Sequence, residues 1–194
     1  MRMRCRAVAA WSSLALLVLG PAWASAEEPA SASAAAAAPA PAPEARSASG
    51  LPLPRYVSLK ADRVNLRAGP GTEYPTSWVY RRAGLPLEVT KEFEGWREVR
   101  DADGASGWVL QSFLSGRRTA LVTPWDVKPG TPAPQVPIRY SDSDKSRSVV
   151  VVEAGVIANI HYCDGTWCSV SVDRYRGYMR QKLLWGVYPN ETVK

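Results

Sequence analysis

From Arg55 onwards the chain is built of short runs in which apolar and polar residues alternate, broken every few residues by Gly, Pro or Asp. No stretch keeps the spacing of an amphipathic helix, so the pattern reads as all-β. In the first half it predicts strands near 63–67, 77–82, 86–92, 96–101 and 106–110. The string "RAGPGTEYP" between the first two is a loop punctuated by Gly69, Pro70 and Gly71. "EG" at 94–95 and "DADGAS" at 101–106 read as hairpin turns, and "SFLSG" as a single closing 3₁₀ turn.

The same pattern then repeats at an offset of 70–72 residues. "VNLR" at Val64 answers "VPIR" at Val136, and "AGL" at Ala83 answers "AGV" at Ala154. Trp96 answers Trp167, "GWV" at Gly107 answers "GYM" at Gly177, and "QSFLSG" at Gln111 answers "QKLLWG" at Gln181. The expectation is two tandem small barrels of five strands each, over 55–117 and 134–190. A Pro-rich linker, 118–133, is expected between them.

The first 26 residues differ in character. Arg2, Arg4 and Arg6 precede an apolar run from Ala7 to Gly20, and Ala24-Ser25-Ala26 forms an A-x-A cleavage pattern. This is the grammar of a secretory signal peptide over 1–26, and its apolar run is short for a membrane span. The chain is therefore expected to be exported, to the periplasm or beyond, with no stable membrane insertion after cleavage. Residues 27–54 are Ala, Pro and Ser with few bulky apolar side chains, which predicts a disordered tether. The leader carries three arginines and no acid. Its loss takes 24 basic residues to 21 against 18 acidic ones, a formal charge of +3. With no Lys/Arg block, nucleic acid is not the expected partner.

"VNLRAGPGTEYP" followed by "AGLPLEV", "GWREVR", "GWV" and a closing "FL" resembles the bacterial SH3-like domain. The whole is similar to exported proteobacterial proteins with two such domains in tandem, a group that "LWGVYP" at Leu184–Pro189 also resembles. The resemblance implies SH3-like barrels that bind and do not catalyse, with peptidoglycan or a peptide as ligand; an adaptor role towards an envelope protein is the alternative. The second copy has "RYSDSDKS" in place of "RAGPGTEYP", so it lacks the Gly-Pro-Gly loop.

Strand alternation sorts side chains to two faces. In "WREVRD", Val99 marks the core face, which leaves Trp96, Glu98 and Arg100 outside. In "WCSVSV", Cys168, Val170 and Val172 take the core face and Trp167, Ser169 and Ser171 the other. Trp108 and Tyr178 likewise fall outside, opposite in parity to Val109 and Met179. Two readings remain open: the Trp residues lie flat over the edge of the core, or they form a shallow aromatic groove for an extended ligand. Tyr74, Trp78 and Tyr80 are the further candidates for such a groove. Arg67 and Arg139 are expected to hydrogen-bond loop carbonyls.

Candidate chemistry narrows to "HYCDGTWC". His161 and Cys163 share a strand face, but no third orienting group accompanies them as a nucleophilic site requires. Zinc would want about four ligands where this segment offers three. No catalytic residue, metal site or cofactor is expected. After loss of Cys5 with the leader, Cys163 and Cys168 are an even pair in an exported chain. In the repeat they fall on Glu92 and Arg97, opposite one another across a hairpin. A disulfide there is expected, where the first copy carries an ion pair.

Overall fold

The computed structural model describes residues 47–194. The expected leader, 1–26, and residues 27–46 of the expected tether lie outside the described residues.

The first sheet contains β1 (Arg55–Leu59), β2 (Val64–Arg67), β3 (Thr76–Tyr80), β4 (Pro86–Phe93), β5 (Trp96–Arg100), β6 (Ser106–Leu110) and β7 (Leu114–Ser115). Its order is β3-β2-β6-β5-β4-β1-β7, with antiparallel neighbours. The second contains β8 (Thr119–Val122), β9 (Gln135–Arg139), β10 (Ser148–Glu153), β11 (Ile157–Asp164), β12 (Trp167–Val172), β13 (Tyr175–Arg180) and β14 (Leu184–Trp185). Its order, β10-β9-β13-β12-β11-β8-β14, is the same topology, and β15 (Thr192–Val193) pairs with the end of β11. A 3₁₀ turn precedes the last repeat strand in each: Gln111–Phe113 and Gln181–Leu183.

The all-β tandem organisation is as expected. Each sheet has more than the five expected strands and runs as an open order, not a closed barrel. The unexpected members are β1 and β7 and their counterparts β8 and β14. At equivalent positions "RYVSL" and "TALV" have no residue in common, so the repeat gives no sign of them. The expected linker 118–133 consequently opens with a strand of the second sheet, and all four residues of β8 are buried. Its prolines begin only at Pro124, after that strand ends. The tether's last part is also ordered: Ser49 donates to Glu92 from both its N–H and its hydroxyl (2.8 Å each), and Leu53 packs on the first core.

One close crossing explains the Gly of "GWV" and "GYM". A Cβ at Gly107 would stand 2.7 Å from the carbonyl oxygen of Arg67, and one at Gly177 would stand 2.3 Å from that of Arg139. Only a glycine lets β6 and β13 pass this near the backbone of β2 and β9.

The repeat also holds at the hairpin rung. Glu92 stands opposite Arg97, and Cys163 opposite Cys168. Glu92 accepts from Arg55 Nη2 (2.6 Å) and pairs with Arg97 Nε (3.1 Å). The cysteines form a disulfide with Cα atoms 4.1 Å apart. Asp164 Oδ1 accepts from the N–H groups of Thr166 (2.7 Å) and Trp167 (2.8 Å), which sets the turn inside the disulfide loop.

The two sheets meet through the "LWGVYP" segment. The Tyr56 ring of β1 packs against Trp185 edge-on (5.3 Å between centroids) and against Tyr188 (4.7 Å). The Tyr188 hydroxyl donates to Glu88 Oε1 (2.9 Å), and Glu88 Oε2 accepts from Arg100 Nε (2.8 Å). Thr119 donates to the carbonyl of Gly84 (2.8 Å), and Arg82 to that of Gly155 (3.0 Å). Burial, then the charge of Glu88, pushes the Tyr56 phenol up to about 12. Burial and the Glu88 hydrogen bond push Tyr188 upward as well. Trp125, by contrast, is 54% exposed.

Candidate functional site

The outer face of the first sheet carries Trp96 and Trp108. Cross-strand register places Trp96 opposite Leu110 and Phe93, and Trp108 opposite Glu98 and Arg67. Val99 and Val109, alternating with these positions, are fully buried, so both Trp residues take the outer face and are partly exposed. A cleft of about 240 Å³ opens there. Trp96, Leu110 and Phe113 make its apolar side, and Arg63, Asn65, Arg67 and Thr72 its polar side.

Arg67 links this cleft to the Gly-Pro-Gly loop. Its Nη1 donates to the carbonyls of Thr72 (3.0 Å) and Tyr74 (2.6 Å), the loop-holding role expected of it. Arg139 does the same in the second copy, donating to Ser146 (2.8 Å). The Tyr74 ring lies over Gly69, where a Cβ would come within 2.4 Å of it, and remains 41% exposed.

The other candidates divide. Trp78 on edge strand β3 is 60% exposed and stands opposite Leu66. Tyr80 is a core residue, 4% exposed, whose hydroxyl donates to Asp101 Oδ2 (3.0 Å); burial, with Asp101 beside it, raises its pKa. Its remaining exposed edge lines a shallow hollow on β3 with Trp78 and Arg81, apart from Trp96. Trp167 is 7% exposed because the Arg180 guanidinium lies over its ring, 4.5 Å from the centroid. Asp144 holds that guanidinium in place through two hydrogen bonds, one of 3.1 Å from Nε to Oδ1 and one from Nη2 to Oδ2. The contact keeps the Asp144 carboxyl below the usual range. Arg180 replaces Leu110 of the first copy, and Asp144 comes from the loop that replaces Gly-Pro-Gly. Tyr178, opposite Arg139 and Ser169, stays partly exposed.

Sequence reasoning did not single out Arg63, Asn65, Leu110 or Phe113. Two of them stood in motifs already noted, Asn65 in "VNLR" and Phe113 in the closing "FL". Among the described residues no helix is long and apolar enough to cross a membrane.

A search of curated proteins finds no match to the chain. Among solved structures it is similar to NlpC2 and NlpC1 from Trichomonas vaginalis, at 14% and 15% identity and a TM-score of 0.30 for each. The match covers 68% of this chain and 48% and 45% of theirs, so the chain spans less than half their length. The model of the bacterial SH3 domain family matches residues 60–116 and 132–186, more than half of the 194 residues, and the chain belongs to that family as a tandem pair.

Proposed function

We propose that the chain is a non-catalytic binding module of the bacterial cell envelope, exported to the periplasm or beyond. In this reading the first domain binds, taking peptidoglycan or an extended peptide in the cleft beside Trp96. The observation that carries it is the difference between the copies. The Trp96 cleft is open, with an apolar wall facing a hydrogen-bonding one, while Trp167 is sealed beneath Arg180 and Asp144. Aromatic plates flanked by polar groups suit a ligand that is extended and amphipathic.

The test is retention of the purified protein on protein-free sacculi. Retention is expected, with its loss in Trp96→Ala and its persistence in Trp167→Ala. No retention of the unaltered protein would sink wall binding. That outcome would leave the second reading, an adaptor for an envelope protein, favoured by the exposed Trp78 on edge strand β3. No muropeptide release is expected from the isolated protein.

A further inference from the structure

The outer faces of the two sheets differ in charge. In the first, Glu88 pairs with Arg100, and Glu98 with Lys91 (3.0 Å) while accepting from Thr90 (2.9 Å). The matching register of the second sheet puts Asn159 in place of Glu88, Ser169 in place of Glu98 and Ser171 in place of Arg100. Both carboxylates are gone. Arg176 stands opposite Ser171, where the first sheet has Ser106 opposite Arg100. Arg117, just before β8, donates to Asn159 Oδ1. Among the described residues neither Arg117 nor Arg176 is in an ion pair, and neither is Asp173 in the nearby turn.

A register shift between Ile160 and Tyr162 leaves His161 and Tyr162 both exposed on this face. His161 Nε2 lies 2.8 Å from Ser171 Oγ, and Tyr162 is 49% exposed. The result is a row across adjacent strands: Arg117 on Asn159, then Ser171 with His161, then Arg176.

We propose that this row binds a phosphate group carried on a saccharide. Adjacent strands lie about 4.8 Å apart, so Asn159 and Arg176 are separated by roughly 10 Å. Guanidiniums at both ends span that distance and close on an anion above Ser171. Arginine forks suit phosphate oxygens, and a hydroxyl and an imidazole between them supply further hydrogen bonds. Tyr162 offers a flat ring for the sugar. The row carries no cluster of apolar side chains to enter a bilayer, which favours a saccharide over a lipid surface. Burial, followed by the charges of Arg176 and Arg117, lowers the His161 pKa, so the ring senses both guanidiniums. This site is independent of the Trp96 cleft.

His161 is the only histidine in the chain, so its ring resonances are an unambiguous reporter. The full protein is titrated with glucose 1-phosphate at neutral pH and low salt, with glucose, inorganic phosphate, sodium chloride and phosphatidylglycerol vesicles as parallel arms. Glucose 1-phosphate is expected to give a saturable shift and to raise the ring's titration midpoint, because the anion offsets the two guanidiniums. Glucose and chloride are expected to give none, and inorganic phosphate to bind several-fold more weakly. Arg176→Gln and Arg117→Gln are each expected to weaken binding about tenfold, with a folded spectrum retained. No saturable shift, an equal shift with chloride, equal affinity for inorganic phosphate, or preference for the vesicles would each overturn the proposal.

Discussion

Glu92 is a carboxylate with a side chain 1% exposed, kept ionised by what surrounds it. Burial opposes its charge, but hydrogen bonds from Arg55 and Ser49 and the charge of Arg97 outweigh that and bring its pKa from 4.5 to about 2. Folding therefore favours the ionised form. The contribution is full above the unfolded value of 4.5 and is lost as pH falls through about 2. A shift of this size corresponds to about 3 kcal/mol. Glu92→Gln should cost about 2–3 kcal/mol at neutral pH, and urea unfolding should show the gap between the two proteins closing between about pH 4.5 and pH 2. A gap that stays constant across that window would refute the account. The ion pair with Arg97 was legible because the repeat aligns it with the cysteines. The contribution of Ser49 was not, since nothing in an Ala/Pro/Ser-rich stretch marks one serine as a partner. The cover over Trp167 was illegible for a related reason. Parity set the ring on the outer face correctly, but its cover comes from Arg180 and Asp144, which are brought together only by the fold.

At the scale of the hairpin, the disulfide does more than replace an ion pair. In the first copy Arg97 Nη2 donates to Gln111 Oε1 (2.6 Å). With cysteine at the equivalent position, Gln181 is released from that contact. It turns its amide to the carbonyls of Tyr188 (2.7 Å) and Glu191 (3.0 Å), and so anchors the C-terminal segment. The covalent link closes a loop of about six residues, which implies roughly 2 kcal/mol from chain entropy. A Cys163→Ser/Cys168→Ser double variant is expected to lose about that much in urea unfolding, with both transitions measured under non-reducing conditions. Two titratable thiols in the unaltered folded protein would contradict the staple. In β11 the register shift between Ile160 and Tyr162 leaves His161 exposed and Cys163 in the core, where alternation put both on one face. β12 was readable from alternation, and so was the hairpin at 94–95. β1 and β8 were not. They are short, nearly continuously buried runs without strict alternation, and their two sequences do not match, so neither periodicity nor repetition signalled them.

Across the whole molecule, the same quasi-equivalent position is used twice for different ends. In the first sheet Tyr56 and Glu88 receive the C-terminal segment of the chain; in the second, Thr119 and Asn159 stand in those places and the face beside them stays open. Duplication followed by divergence of a few outer-face residues accounts for this: one copy keeps an open aromatic cleft, while the other supplies the segment that joins them. Arg118 secures that segment, holding Glu191 with Nη1 at 2.7 Å and Nη2 at 3.0 Å and the Gly186 carbonyl at 3.0 Å. Tyr188 is half-buried, so removing its ring costs less than the about 3–5 kcal/mol of a fully buried aromatic, on the order of 2–3 kcal/mol. That is a large share of what holds two small domains in one cooperative unit. The unaltered protein is expected to unfold in a single calorimetric transition, and Tyr188→Ala to separate it into two, with a larger radius of gyration in solution scattering. Tyr188→Phe keeps the ring and removes only the hydroxyl given to buried Glu88, so it should lower the midpoint while preserving one transition. A single unshifted transition in Tyr188→Ala would mean that the Tyr56–Trp185 contact and those of Thr119 and Arg82 couple the two sheets without Tyr188.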